Sequence, residues 1–322
     1  MTPAFLFPGQ GSQQVGMGAA LAERFPEVRA LLARADQVLG IPLSRLMREG
    51  PEPELRRTVH AQPALLVHGV AAWTLLDRAG VKPAFVAGHS LGEYSACVAA
   101  GALAFEDALR LVHRRGELME RAGIEHPGTM AAILGLDAAA VSAACADASE
   151  AGVVVPANLN APGQIVISGD VPAVERACAL AEQRGARRTV MLPVAGAFHS
   201  PLMASAAAGL GAALDAVEIL PACCPVVANV SAAPVAEPAA IRDALERQLL
   251  GAVRWEESMR FLLGQGVRTF VEVGAGRVLK GLLRGVDKHA TCWNAEDPES
   301  LEAALAGLEA ARGTASAAGG NA

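Results

Sequence analysis

The chain has 322 residues, 52% apolar and 4% aromatic, enough to bury a large core and divide it between two units. Its formal charge of −6 argues against a bulk nucleic-acid binder, and no apolar run reaches the roughly 18 residues that span a bilayer. The amino-terminal MTPAFLFPGQG lacks the basic and apolar regions of a secretory signal, and the six cysteines show neither C-x-x-C nor metal-ligand spacing with histidine. A cytoplasmic protein with reduced thiols and no metal is expected.

Ala4–Phe7 reads as a buried strand stopped by Pro8-Gly9. Gly18–Leu39 is helical with a break at Pro26, and Leu65, Leu66, Val70, Trp73 and Leu76 give helical spacing from Pro63 to Ala79. Ala84–Gly88 is a second apolar strand, and Leu91–Ala100 continues as a small-residue helix. Phe105–Ala122 is a helix with Glu106 and Asp107 at its start and arginines later, as the helix dipole favours, ended by Gly123.

From Thr129 to Leu192 the order changes to strand, helix, strand, strand, helix, strand. That is the pattern of a ferredoxin-like unit, with Asp137 starting one helix and Asp170 capping the other. The chain then returns to the larger unit with a helix over Pro201–Val217, a strand at VVANV, a helix over Ala239–Leu250 and a strand at RTFVEVG. A helix over Val278–Arg284 and another over Ser300–Arg312 follow. The predicted division is a catalytic unit over 1–123 and 195–312, an inserted subdomain over 124–194 and a disordered tail over 313–322.

The chemistry is concentrated at GHSLG. A G-x-S-x-G on a strand-to-helix turn is a nucleophile elbow, so Ser90 projects at a helix start and the Leu91 N–H can hold a tetrahedral oxyanion. A serine needs a base. Among the seven histidines, His199 in PVAGAFHSPLM stands out, placed at a helix start among small and apolar residues, where a structural imidazole fits as well as a base. His89 is too close in sequence to turn back on Ser90. GQGSQQ opens like a dinucleotide fingerprint but lacks the third glycine.

FPGQGSQ (Phe7–Gln13), GHSLGEYSA (Gly88–Ala96), RRGELM (Arg114–Met119), NAPGQIVISG (Asn160–Gly169), GAFHSPLM (Gly196–Met203) and EVGAGRVL (Glu272–Leu279) occur in one collinear order. Together they resemble the malonyl-CoA:acyl carrier protein transacylase family over nearly the whole chain to about Arg312. The resemblance implies an α/β fold, with an α/β-hydrolase-like large domain carrying an inserted ferredoxin-like subdomain. It implies Ser90 as nucleophile and His199 as base, with the Gln248 main-chain carbonyl orienting the histidine in place of a triad acid. It further implies the N–H groups of Gln10 and Leu91 as oxyanion donors, Arg115 as the clamp on the malonyl carboxylate, and Phe198 as a wall against an α-methyl branch.

Malonyl-CoA is then the substrate and a phosphopantetheine-bearing acyl carrier protein the acceptor, with no permanent cofactor, no nucleic-acid or membrane partner, and a monomeric enzyme. Arg277, Lys280, Arg284 and Lys288 fall along one side of a helix if it continues, a candidate landing face for an acidic carrier. An acyl-carrier-directed hydrolase shares Ser90 and His199 and is the alternative; Arg115 and Phe198 favour malonyl transfer over it.

Overall fold

The computed structural model describes residues 2–194 and 196–319, with side chains through residue 311. Ten strands form two sheets: β1 (Ala4–Phe7), β2 (Phe85–Gly88), β3 (Gly128–Leu134), β4 (Val154–Ala161), β5 (Gln164–Asp170), β6 (Arg188–Met191), β7 (Val226–Val227), β8 (Pro234–Val235), β9 (Thr269–Val273) and β10 (Thr291–Ala295). The larger sheet has the order β10-β9-β1-β2-β7-β8, parallel throughout except for β8 at one edge.

β1 at its centre shows why a short apolar run suffices. Successive side chains of a strand point to opposite faces. Phe5 and Phe7 enter the main core with Leu66, Val70 and Tyr94, while Ala4 and Leu6 pack on the other face with Trp255, Phe270 and Leu279. Both faces are covered, as a parallel sheet requires.

The smaller sheet is antiparallel in the order β4-β5-β3-β6, with the helices Ala138–Ala148 and Val171–Gln183 on one face. Its other face presents Met130, Ala157 and Val166 to the main core, and backbone hydrogen bonds between Ala157, Leu159 and Val253 stitch β4 to the larger unit. The two sheets therefore enclose a cleft with fixed walls. Among the described residues no helix is long and apolar enough to cross a membrane.

Several boundaries differ from the sequence reading. The helix expected from Pro63 begins at Thr58 and keeps Pro63 inside it. Proline removes the hydrogen bond that would reach back to the Val59 carbonyl, and that carbonyl is approached instead by His113 Nδ1 at 3.3 Å. Gly123 does not end its helix, which runs from Phe105 to Glu125 with an Arg121–Glu125 ion pair on its last turn. Asp170 holds the N-cap position, but its carboxylate accepts from Val153 N instead of capping the helix.

VVANV pairs only at Val226 and Val227, and β8, β10 and the helix Trp255–Gly264 were not foreseen. The last helix spans Pro298–Gly319, so the tail expected to lack order from 313 is helical through Gly319; residues 320–322 lie outside the described residues.

The elbow is where the packing is closest. A Cβ on Gly88 would fall 1.9 Å from the Gly92 carbonyl carbon, and one on Gly92 would fall 2.1 Å from the Phe7 carbonyl oxygen. Neither glycine is left-handed; the strained residue is Ser90 itself, at φ 51°. The glycines thus permit close approach of β1, β2 and the following helix. Gly92→Ala should cost at least about 3 kcal/mol, the upper end of ordinary overpacking, because the obstacle is backbone. Urea denaturation checks this; an unchanged midpoint would contradict it.

Candidate active site

Ligand sites in open α/β sheets lie beyond the carboxyl ends of the strands, and the loops leaving β1, β2 and β7 here carry Gln10, Ser90 and Asn229. Between them and the small sheet lies a cavity of about 480 Å³ whose lining includes Gln10, Ser90, Leu91, Arg115, Phe198 and His199. Sequence reasoning had placed these six residues in one site, and they line one cavity.

Ser90 turns sharply between β2 and the helix Gly92–Ala99, with Leu91 at the helix N-cap. Its Oγ donates to His199 Nε2 at 2.7 Å. On the far side of the imidazole, Nδ1 lies 2.9 Å from the Gln248 carbonyl and 3.1 Å from that of Gly251. Two carbonyl oxygens can only accept, so Nδ1 carries the proton and Nε2 is left as the acceptor facing the serine. No carboxylate is needed for this tautomer. His199 is itself left-handed, at φ 58°.

Arg115 comes from the middle of the helix Phe105–Glu125 and is 1% exposed. Nη1 donates to Gln62 Oε1 at 2.8 Å, and Nη2 donates to Ser90 Oγ and Gln248 Oε1, each at 3.1 Å. Its Nε is buried with no hydrogen-bond partner among the described residues. Nε and Nη2 share one edge of the guanidinium, the edge that pairs bidentately with a carboxylate. The buried cation therefore stands beside the Ser90 hydroxyl with the Gln62 and Gln248 amides around it.

Three polar residues that the sequence reading did not assign hold this arrangement. Asn229 accepts from Ser90 N at 2.7 Å and donates to the Gly88 carbonyl at 2.7 Å, clamping both sides of the elbow. Ser90 N–H is thereby occupied, which leaves Leu91 and Gln10 as the oxyanion candidates. Gln62 anchors Arg115. Glu93, 1% exposed, accepts from Asn229 N at 3.2 Å and from Gln248 Nε2 at 2.7 Å. Burial pushes its carboxyl up to about 7, against the pull of those hydrogen bonds.

The remaining neighbours set the walls. His89 lines the cavity but faces away from the dyad, with Nε2 2.8 Å from Asn160 Oδ1 and its ring against Trp255. Gln10 is steadied by a bond from Nε2 to Thr58 Oγ1 at 3.1 Å. The four candidate docking cations are exposed and form no ion pair with another described residue, but the helix Val278–Val286 ends before Lys288. Only Arg277, Lys280 and Arg284 belong to that helix and its N-cap.

Residues 4–303 match the family model described as the acyl transferase domain. A Bacillus subtilis malonyl CoA-acyl carrier protein transacylase is 48% identical over 95% of this chain and 97% of its own. The chain belongs to the malonyl-CoA:acyl carrier protein transacylase family. A solved acyl carrier protein S-malonyltransferase from Vibrio cholerae shares 44% identity and a TM-score of 0.91, covering 94% of this chain and 99% of the other. A malonyl-transacylase solved in complex with a type II PKS acyl-carrier protein shares 43% identity and a TM-score of 0.93, covering 95% of this chain and 100% of the other.

In this family member His199 is buried deeply enough to stay neutral. Desolvation, reinforced by the Arg115 charge, lowers His199 from 6.5 to about 3. The unfolded imidazole takes up a proton near 6.5 and the folded one only near 3, so its contribution to stability is full above that range and is lost as pH falls through it. The His199 ring nitrogens should therefore keep one neutral, Nδ1-protonated NMR signature at every pH between about 5 and 8, well above the depressed value. An inflection near the ordinary histidine value would contradict it.

Proposed function

We propose that this protein moves malonyl groups from malonyl-CoA to the phosphopantetheine thiol of an acyl carrier protein through a seryl ester. The observation that carries the reading is the buried Arg115 guanidinium held 3.1 Å from the hydroxyl that faces His199. A hydrolase of neutral acyl groups has no use for a desolvated cation at that point, whereas a free carboxylate on the acyl group satisfies it. Malonyl brings that carboxylate, which supports transfer over the hydrolytic alternative.

Ser90 Oγ attacks the thioester carbonyl as Nε2 of His199 takes its proton. The tetrahedral oxygen is held by main-chain N–H groups of Leu91 and Gln10, donors fixed before the reaction begins. Collapse breaks the C–S bond, and the proton on Nε2 goes to the departing CoA sulfur. The carrier thiol then enters by the reverse sequence: its proton passes to His199, its sulfur attacks the ester, and Ser90 leaves with the proton. During each transfer the imidazolium is stabilised by the Gln248 and Gly251 carbonyls, which do not change charge.

The fold supports the same reading at a finer level. The strand order of the small sheet and its two helices fit a ferredoxin-like subdomain inserted in an α/β-hydrolase-like unit, close to the divisions at 124 and 194. Phe198, 7% exposed and facing the cavity, is suited to crowd a branched acyl group. Glu272, fully buried on β9, accepts from Leu279 N and Lys280 N at 2.9 and 2.8 Å and so fixes the start of the helix that displays Lys280 and Arg284. Those exposed cations suit an acidic carrier.

Arg115→Ala should lower kcat/KM for malonyl-CoA by about 30- to 5,000-fold, the range for removing one member of a buried charge pair, and favour acetyl transfer relatively. Transfer assays with both acyl donors check this; unchanged malonyl preference would refute the role. Lys280→Glu with Arg284→Glu should raise KM for the carrier by about 10-fold at low salt and flatten its salt dependence. Steady-state titration of carrier protein at several ionic strengths decides it, and an unaltered salt slope would remove this face from the reading.

A further inference from the structure

Gln248 does more than lend His199 a main-chain carbonyl. Its side-chain amide lies between two buried charges of opposite sign. Oε1 accepts from Arg115 Nη2 at 3.1 Å, and Nε2 donates to Glu93 Oε2 at 2.7 Å and to the Ser90 carbonyl at 2.9 Å. Among the described residues no hydrogen bond or ion pair joins Glu93 to Arg115 directly. The amide is the bridge.

The two orientations of an amide are nearly the same shape, so packing alone does not choose between them. The charges do. With the amide turned over, its NH₂ would face the guanidinium and its oxygen the carboxylate, replacing charge-assisted hydrogen bonds by repulsions at both ends. In a desolvated setting such contacts carry more weight than in water. Glu93 supplies one end of this selection and lies outside the cavity lining. It stands in the first turn of the helix that begins just after Ser90, so its placement follows from the elbow itself. A need for hydrogen-bond acceptors alone would be met by glutamine; a carboxylate is required only if its charge matters.

We infer that Glu93 is a positioning residue for acyl-group selection: through the Gln248 amide, its buried carboxylate holds the Arg115 guanidinium in the orientation that meets a substrate carboxylate. This inference rests on Arg115 being the malonyl clamp. Glu93 does not touch the substrate, and its effect is read in the choice between acyl donors. A purely structural acid would slow every donor alike.

The test measures Ser90 acylation from malonyl-CoA and from acetyl-CoA by rapid quench and intact mass at pH 8. The proteins are the wild type, Glu93→Gln, Gln248→Met, Arg115→Ala and the Glu93→Gln/Arg115→Ala double variant. Gln248→Met removes the bridge but keeps the main-chain carbonyl on His199. Glu93→Gln and Gln248→Met should each lower the malonyl-to-acetyl ratio of kcat/KM by about 10- to 100-fold, the effect of one charge-assisted hydrogen bond. Adding Glu93→Gln to Arg115→Ala should leave the ratio where Arg115→Ala put it.

If Glu93→Gln does not fold, Gln248→Met decides. A ratio lost in Arg115→Ala but retained within about twofold, inside the scatter of uncoupled sites, in Glu93→Gln or Gln248→Met would overturn this inference alone. A ratio retained in Arg115→Ala would overturn the clamp and this inference with it.

Discussion

The site depends on one hydrogen bond, 2.7 Å from Ser90 Oγ to His199 Nε2, made between residues 109 positions apart. Both residues are left-handed without being glycine, a conformation that costs about 1–3 kcal/mol each and persists only where surroundings over-determine it. Here the surroundings are explicit. Asn229 grips the backbone on both sides of Ser90, Gln248 holds the Ser90 carbonyl, and the Gln248 and Gly251 carbonyls fix the far side of the imidazole. The Ser90 turn after β2, the Asn229 loop after β7 and the end of the helix Pro238–Gln248 are locked to each other by amide hydrogen bonds.

A second constraint follows from dryness. Arg115, Glu93 and His199 are all almost wholly buried, and burying charge is tolerated only with hydrogen-bonded partners. The network answers by spacing the cation and the acid on either side of a neutral amide. Among the described residues Arg115 has no anion in direct hydrogen-bond contact, and its charge adds to the desolvation that lowers His199. On the proposed function, a malonyl carboxylate paired with Arg115 would offset the smaller, charge-derived part of the His199 shift, with desolvation remaining its main cause.

Much of this was legible in the sequence because it is local or patterned. Ala4–Phe7 and Phe85–Gly88 are short apolar runs bounded by glycine, GHSLG announces a strained turn with a hydroxyl at its tip, and GAFHSPLM places an imidazole among small and apolar residues. The β-α-β-β-α-β order of the small sheet was read from alternation alone. What escaped was what only the fold assembles. Gln62 and Asn229 are single amides without a pattern around them, and Glu93 reads as an ordinary acidic residue in a helix's first turn. Pro63 suggested a helix start, although the freed Val59 carbonyl finds His113 nearby, so the helix reaches back and carries Gln62 to Arg115. The short strands β7, β8 and β10 owe their pairing to neighbours far along the chain, which no local window contains.

The central claim is that Ser90 carries the acyl group between two thiols. The most direct measurement is intact mass spectrometry, with peptide mapping, after mixing the protein with malonyl-CoA and then with a phosphopantetheinylated acyl carrier protein. The account predicts one malonyl adduct on Ser90 that vanishes from the enzyme as it appears on the carrier thiol. An adduct on another residue, or one released only to water while the carrier stays unloaded, would contradict it.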